Sequence, residues 1–584
     1  MTAEQTKIAE ESHVKAPWLN VYGVVPPHLD YPDCTMYEAV ERCAGTYPNH
    51  TAYVFMGRKT TYRAMAAEID LCARALKATG VRPGDRITMA MPNCPQAVIM
   101  FYAINLVGAT ANMIHPLSSE KEIEFYLKES GSIFAVTLDQ FYHKFEAIRQ
   151  NVTLDNIILA SIPDALSKPV RVGYMLTEGR KQAKIPKDAP VLRWNEFLRR
   201  GRGYHWTYRA ERRAGDEAVI LYSGGTTGVT KGIQLTNLNF NALGKQIIAT
   251  NPMFRPGDKM LAVMPMFHGF GLGVSIHSML VSGGCCILVP RFTPDSYAKL
   301  LLKYRCNLIA GVPTLYEALL RLPKMKNADL SCLKGVYSGG DSLSVELKKR
   351  FDQFLFDHHA TIQVREGYGL TECVTASCLT PYHISREGSI GIPFPDTYYK
   401  IVEHGTQKEV PYGTEGEICL SGPTVMMGYL HHPEETAQTL QTHEDGLAWV
   451  HTGDLGYMDP DGFVYFRQRL KRMIVTSGYN VYPSQMENIL DAHELVQMSC
   501  VIGVPDKLKM QKVKAFVMLK PGVPANEETK AVLMAYIRKN VAKYALPYDI
   551  EFRAELPKTL VGKVAYRVLE EEELKKLSET AQEQ

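Results

Sequence analysis

Residues 218–232 read AVILYSGGTTGVTKG and concentrate groups that can grip a polyanion. The apolar opening predicts a buried strand. The ten residues that follow, 223–232, carry four glycines, three threonines, a serine and one lysine. Glycines let backbone N–H groups approach phosphate with no Cβ in the way, hydroxyls add donors, and Lys231 adds a point charge. Ser223, Gly224, Gly225, Thr226, Thr227, Gly228 and Lys231 are therefore candidates for a phosphate cradle. The spacing G-x-x-x-x-G-K-[ST] does not fit, because Thr230 precedes Lys231, and no G-x-G-x-x-G follows a strand here.

Four further stretches could do chemistry. Residues 366–372, EGYGLTE, predict a turn into a helix that carries an aromatic ring, a hydroxyl and a carboxylate. Residues 452–454, TGD, predict a carboxylate in a tight turn, suited to a ribose diol. RLKR at 469–472 marks a change of texture, and LPKTLVGK at 556–563 puts Lys563 at the tip of a glycine turn. Singly, each has an ordinary structural reading: Tyr368 as a core aromatic, Glu372 as a helix first-turn charge, Asp454 as a turn former, Lys563 as a solvated lysine.

The elements that must position these groups alternate. From Tyr37 onward, helical and strand patterns follow one another at βαβ spacing, as in RITMAMPN then QAVIMFYAINLVGA. Residues 150–215 are irregular and rich in Arg and Lys, and are expected to be a surface excursion. After the glycine loop, IQLTNLNFNALGKQIIA predicts strand then helix, and a second βαβ series follows. Residues 260–290 lack Asp, Glu, Lys and Arg, but Pro265, His268 and several glycines break them into strand, buried helix and strand rather than a membrane span. Short strands and tight turns dominate from about Gly388, and a small α+β unit closes the chain. The fold class is α/β: a large N-terminal domain of two doubly wound βαβ subdomains plus a β-rich subdomain, then a small mobile α+β C-terminal domain. Expected boundaries are 1–36 for a lead-in, 37–470 for the large domain and 471–584 for the small one.

At 584 residues the chain exceeds one core, and a formal charge of +3 implies no nucleic-acid-coating surface. Twelve scattered cysteines with no C-x-x-C point to reduced thiols in a cytosolic protein, and the polar N-terminus has no signal core.

Taken in order, the motifs resemble the AMP-forming acyl-adenylating superfamily. YSGGTTGVTKG resembles its phosphate loop, PMFHGFGLG its substrate-pocket motif, EGYGLTEC its adenine and metal motif, and GSIGIPFPDT with GEICLSGPTVMMGYLHHPEET its core β region. HTGDLG resembles its ribose motif, RLKRMIVTSGYNVYP its hinge, and LPKTLVGK its C-terminal lysine motif. EGYGLTEC and SGYNVYP look closest to the medium- and long-chain fatty acyl-CoA synthetase branch.

The resemblance implies adenylation of a carboxylic acid by ATP with Mg²⁺, then transfer of the acyl group to coenzyme A. Residues 223–231 would hold the β,γ-phosphates, Tyr368 with Gly369 would meet adenine, Glu372 would carry the metal, and Thr371 would touch the α-phosphate. Gly339, Gly340 and Asp341 would line the adenine side, and Asp454 with Arg469 would hold the ribose. Lys563 would bridge carboxylate and α-phosphate, His268 would sit at the acyl pocket, and Gly269, Gly271, Val312, Tyr337 and Ser338 would line it, the glycines leaving room for a sizeable chain. Lys471 falls at the hinge, and Gly478 would admit the pantetheine arm of CoA. Thr230, Gln468, Arg472 and Met510-Gln511 depart from the family pattern, the last three in the moving half. The expected partners are small molecules and no nucleic acid, with peripheral membrane contact and a monomer or homodimer left open. The alternatives are an acyl-AMP ligase loading a separate carrier protein and an aryl- or bile-acid CoA ligase.

Overall fold

A computed structural model describes residues 14–177, 179, 185–186, 188–223, 230–476, 479–506, 509–559 and 562–582. The described residues form two large sheets, a β-rich sheet and the sheet of a small C-terminal domain. The first large sheet runs in the order Gly428–Tyr429, Lys231–Thr236, Glu217–Ser223, Thr110–Met113, Arg86–Ala90, Phe134–Leu138, Asn156–Ala160 and Leu192–Arg193. The second runs from Ile392–Pro393 through Cys378–Leu379, Val364–Tyr368, Gly335–Ser338, Leu308–Gly311, Lys259–Ala262 and Cys285–Leu288 to the hairpin Thr51–Phe55 and Arg58–Thr61.

Every residue of helix Pro95–Leu106 is buried, apolar on all faces but for Gln96 and Asn105, as a helix enclosed by core requires. It packs on the first sheet, and its Tyr102 hydroxyl meets His277 Nδ1 at 3.0 Å in the segment before Cys285–Leu288. One continuous core thus joins both sheets.

Two expectations need correction. The hairpin at 51–61 pairs with Cys285–Leu288 in the second sheet, so the two subdomains interleave along the chain. Local alternation says which elements form, not which sheet receives them. Residues 150–215 are more than an excursion, because Asn156–Ala160 and Leu192–Arg193 extend the first sheet. Arg199, Arg200 and Arg202 there form the outer face of helix Trp194–Arg202, whose Trp194, Phe197 and Gly201 are buried. A Cβ on Gly201 would stand 2.5 Å from Leu71 O of helix Tyr62–Ala78. After the glycine loop the expected strand and then helix do follow, as Lys231–Thr236 and Asn237–Ala249, the strand running antiparallel to Glu217–Ser223 with Ser223 opposite Lys231. No helix N-terminus follows the loop directly, so it differs from a nucleotide-binding strand–loop–helix unit in architecture as well as spacing.

Residues 259–288 fold as strand, π-helix Phe270–His277 running into Ser278–Leu280, and strand. No described helix is long and apolar enough to cross a membrane. The lead-in is tied down from Val14: Trp18 is buried, Tyr22 donates to Pro393 O at 3.0 Å, and Asp396 accepts from Leu29 N and the Tyr31 hydroxyl. The small domain pairs Tyr479–Val481, Ile474–Thr476, Met510–Leu519, Val496–Asp506 and Asp549–Phe552 under helices Pro483–Asp491, Glu527–Asn540 and Tyr566–Gln582.

Candidate active site

Tyr368 ends a strand of the second sheet, and Thr371–Cys373 forms a single 3₁₀ turn. The predicted helix does not follow, because Val374 takes φ +67°, costly for a β-branched residue. That conformation presses the Val374 carbonyl against Gly269, where a Cβ would lie 1.7 Å from the oxygen. A Cβ on Gly271 would lie 2.1 Å from Pro265 O. Both glycines are therefore filled by backbone and do not open room for an acyl chain. Tyr337 is core as well, its hydroxyl accepting from Asn251 Nδ2 at 2.8 Å. Ser338 Oγ is buried and has no hydrogen-bond partner, and Val312 packs beside Gly340 and Gly562.

Asp454 lies within strand Ala448–Met458 rather than in a turn. Pairing with Gly416–Ser421 slips between Glu417 and Cys419, and Gly453 takes φ +67° in the resulting bulge. Glu417 Oε1 accepts from Gly453 N at 2.9 Å, and the Thr452 hydroxyl donates to Ile418 O at 2.7 Å. The bulge aims Asp454 at Arg469, expected beside it at the ribose, and at Tyr368, expected at adenine. Its Oδ2 accepts from the Tyr368 hydroxyl at 2.7 Å, and its Oδ1 lies 3.2 Å from Arg469 Nε without a hydrogen-bond donor. Burial raises the Asp454 carboxyl and Arg469 opposes it.

Lys563 comes from the small domain on a hairpin where Thr559 N donates to Lys563 O at 2.7 Å and Gly562 takes φ +86°. The Thr314 hydroxyl donates to Gly562 O at 3.0 Å, and Val564 N reaches Asp341 Oδ2 at 3.4 Å. A Cβ on Gly340 would stand 3.3 Å from Lys563 Cε. The lysine therefore stands inside the large domain's site. Burial lowers its pKa, Asp341 and Asp454 resist, and Arg469 adds to the lowering. His268 is pushed down to about 3 by burial and by the Lys563 charge, and its Nδ1 accepts from Phe270 N at 3.2 Å.

Lys231 Nζ lies 3.7 Å from Glu435 Oε1 and 4.9 Å from the Tyr429 ring centre. The Tyr429 hydroxyl donates to Glu372 Oε1 at 2.8 Å. Lys471 is lowered by burial and by the charges of Lys231, Arg567 and Arg469, so four cations from both domains face one region. Tyr429, Glu435 and Arg567 were not foreseen. The first two stand in a stretch read only as core β, and nothing local marks Arg567. Gly224, Gly225, Thr226, Thr227, Gly228 and Gly478 lie outside the described residues, as does the Ser223 side chain.

The departures in the moving half are held by the small domain or its junction. Gln468 Oε1 accepts from Ser484 N at 3.1 Å, and Gln511 Oε1 from Val475 N at 2.9 Å. Arg472 pairs with Glu487, donates to Val501 O at 3.3 Å and lies over the Tyr566 ring at 4.8 Å.

The AMP-binding enzyme model matches residues 40–430, and the AMP-binding enzyme C-terminal domain model matches 485–563. The chain belongs to the AMP-binding enzyme family. A long-chain-fatty-acid–CoA ligase of Bacillus subtilis is 36% identical over 95% of this chain and 98% of its own length. One from Salmonella typhimurium is 33% identical over 96% and 98%. Among solved structures, an anthranilate CoA ligase in complex with anthranoyl-AMP superposes with a TM-score of 0.80 at 26% identity, covering 93% of this chain and 97% of that one. The fold is that of adenylate-forming enzymes.

Proposed function

We propose that this chain is an AMP-forming acid:CoA ligase whose acid is a medium- or long-chain fatty acid. A carboxylate is a poor electrophile because its leaving group would be oxide. Attack of a carboxylate oxygen on the α-phosphorus of ATP expels pyrophosphate and leaves an acyl adenylate. The thiol of CoA then attacks the acyl carbon and expels AMP. The first step calls for charge stabilisation around phosphorus rather than a protein nucleophile.

The observation that carries this reading is Lys563 standing against Gly340 and beside Asp341, in the same site as the Tyr368–Asp454–Arg469 group. Asp454 Oδ1, buried and lacking a donor, takes a ribose hydroxyl, and Tyr368 offers its ring to adenine. The glycine loop with Lys231 holds the β,γ-phosphates, and Thr371 meets the α-phosphate. Glu372 supplies one carboxylate which, with phosphate oxygens, suits Mg²⁺; that ion would offset phosphate charge. Lys563 supplies the positive charge between carboxylate and α-phosphate, while His268, neutral above about pH 3, supplies none. The boundary near Lys471 is the hinge on which residues 471–584 turn, withdrawing Lys563 and bringing Gly478 to the CoA path.

Pyrophosphate release with ATP and a panel of fatty, aryl and bile acids, with and without CoA, tests this. Release that requires a fatty acid, with acyl-CoA formed when CoA is present, is expected. Acid-dependent release without acyl-CoA would assign a carrier-protein acceptor, and no release on the panel would overturn the reading.

A further inference from the structure

We propose that Glu417, Cys419 and His451 form a binding site for a thiophilic divalent cation of the zinc class, on the β-rich sheet behind the Asp454 bulge. Glu417 and Cys419 stand two apart on strand Gly416–Ser421, so their side chains share a face. His451 is the direct cross-strand partner of Cys419 in the neighbouring strand. Among the described residues, this trio alone brings three such ligand atoms within 4.8 Å of one another. The spacing along the chain gives no hint of it, because the ligands come from two strands.

Two of the three ligand separations already match a metal tetrahedron. Bonds of about 2.3 Å to sulfur and about 2.0 Å to nitrogen and oxygen place tetrahedral ligands about 3.5 Å apart for S···N and about 3.3 Å for N···O. Cys419 Sγ lies 3.5 Å from His451 Nδ1, and Glu417 Oε2 lies 3.2 Å from the same nitrogen. Glu417 and Cys419 are buried and the His451 side chain is 8% exposed. His404 Nδ1, on an exposed side chain 3.8 Å from Glu417 Oε2, stands at the rim, where it or water can complete the set.

A second shell is present too. His451 Nε2 lies 3.0 Å from His443 Nε2, and His443 is 5% exposed. With Nδ1 turned to a metal, His451 donates from Nε2 to that partner, which fixes ring and tautomer. Glu417 Oε1 holds Gly453 N, so the site is one carboxylate removed from Asp454.

Titration of the metal-free full-length protein with Co²⁺ tests the assignment. One equivalent is expected to give tetrahedral visible bands and a sulfur-to-cobalt charge-transfer band, both lost on adding Zn²⁺. Cys419→Ser removes the charge-transfer band and weakens Zn²⁺ at least tenfold. His443→Phe keeps the band but weakens binding about tenfold. A wild-type protein with no charge-transfer band, or a band that survives in Cys419→Ser, overturns the proposal and leaves the trio as a hydrogen-bonded cluster.

Discussion

Tyr429 donates its hydroxyl to Glu372 Oε1 at 2.8 Å while its ring centre lies 4.9 Å from Lys231 Nζ. One side chain thus positions both the carboxylate assigned to the metal and the lysine assigned to the phosphates. A hydrogen bond to a charged group contributes about 1.5–3 kcal/mol. Tyr429→Phe, which keeps the ring, is expected to raise the KM for Mg-ATP about tenfold or more, with little change in the KM for the acid. Steady-state kinetics check this, and an unchanged nucleotide KM would remove Tyr429 from the site.

Lys563 also sets a pH dependence. A free lysine titrates near 10.4, and burial lowers this one, so it loses its charge at a lower pH than a free lysine. Pyrophosphate release should therefore fall on an alkaline limb below that value. Lys563→Arg should move the limb upward, because a guanidinium keeps its proton. Thiolation of preformed acyl-AMP should lack the limb. His268, held neutral down to about pH 3, adds no limb near pH 6.5. Identical alkaline limbs in both half-reactions would contradict the assignment.

Much of the architecture is legible in local pattern. The buried helix Pro95–Leu106 and the strand–helix–strand reading of 260–290 follow from periodicity and turn residues. Sheet membership does not, because pairing of the 51–61 hairpin with Cys285–Leu288 is decided across more than two hundred residues. At the site, the ordered motifs mark Tyr368, Asp454, Arg469 and Lys563, and the structure brings these groups to one region. The illegible parts are backbone events. Nothing before Val374 announces a positive φ, so the short turn at Thr371–Cys373 and the filling of Gly269 by a carbonyl are read only in space. The bulge that aims Asp454 depends likewise on a register slip between Glu417 and Cys419.

Lys563 is assigned to adenylation alone, and separating the two half-reactions tests that role. Lys563→Ala is measured for acid-dependent pyrophosphate release and, separately, for CoA attack on supplied acyl-AMP. Release is expected to fall at least a hundredfold, about 2.7 kcal/mol at the transition state, while thiolation stays within about threefold of the native rate. Equal loss of both half-reactions would give Lys563 a part in thiolation and rule out its assignment to adenylation alone.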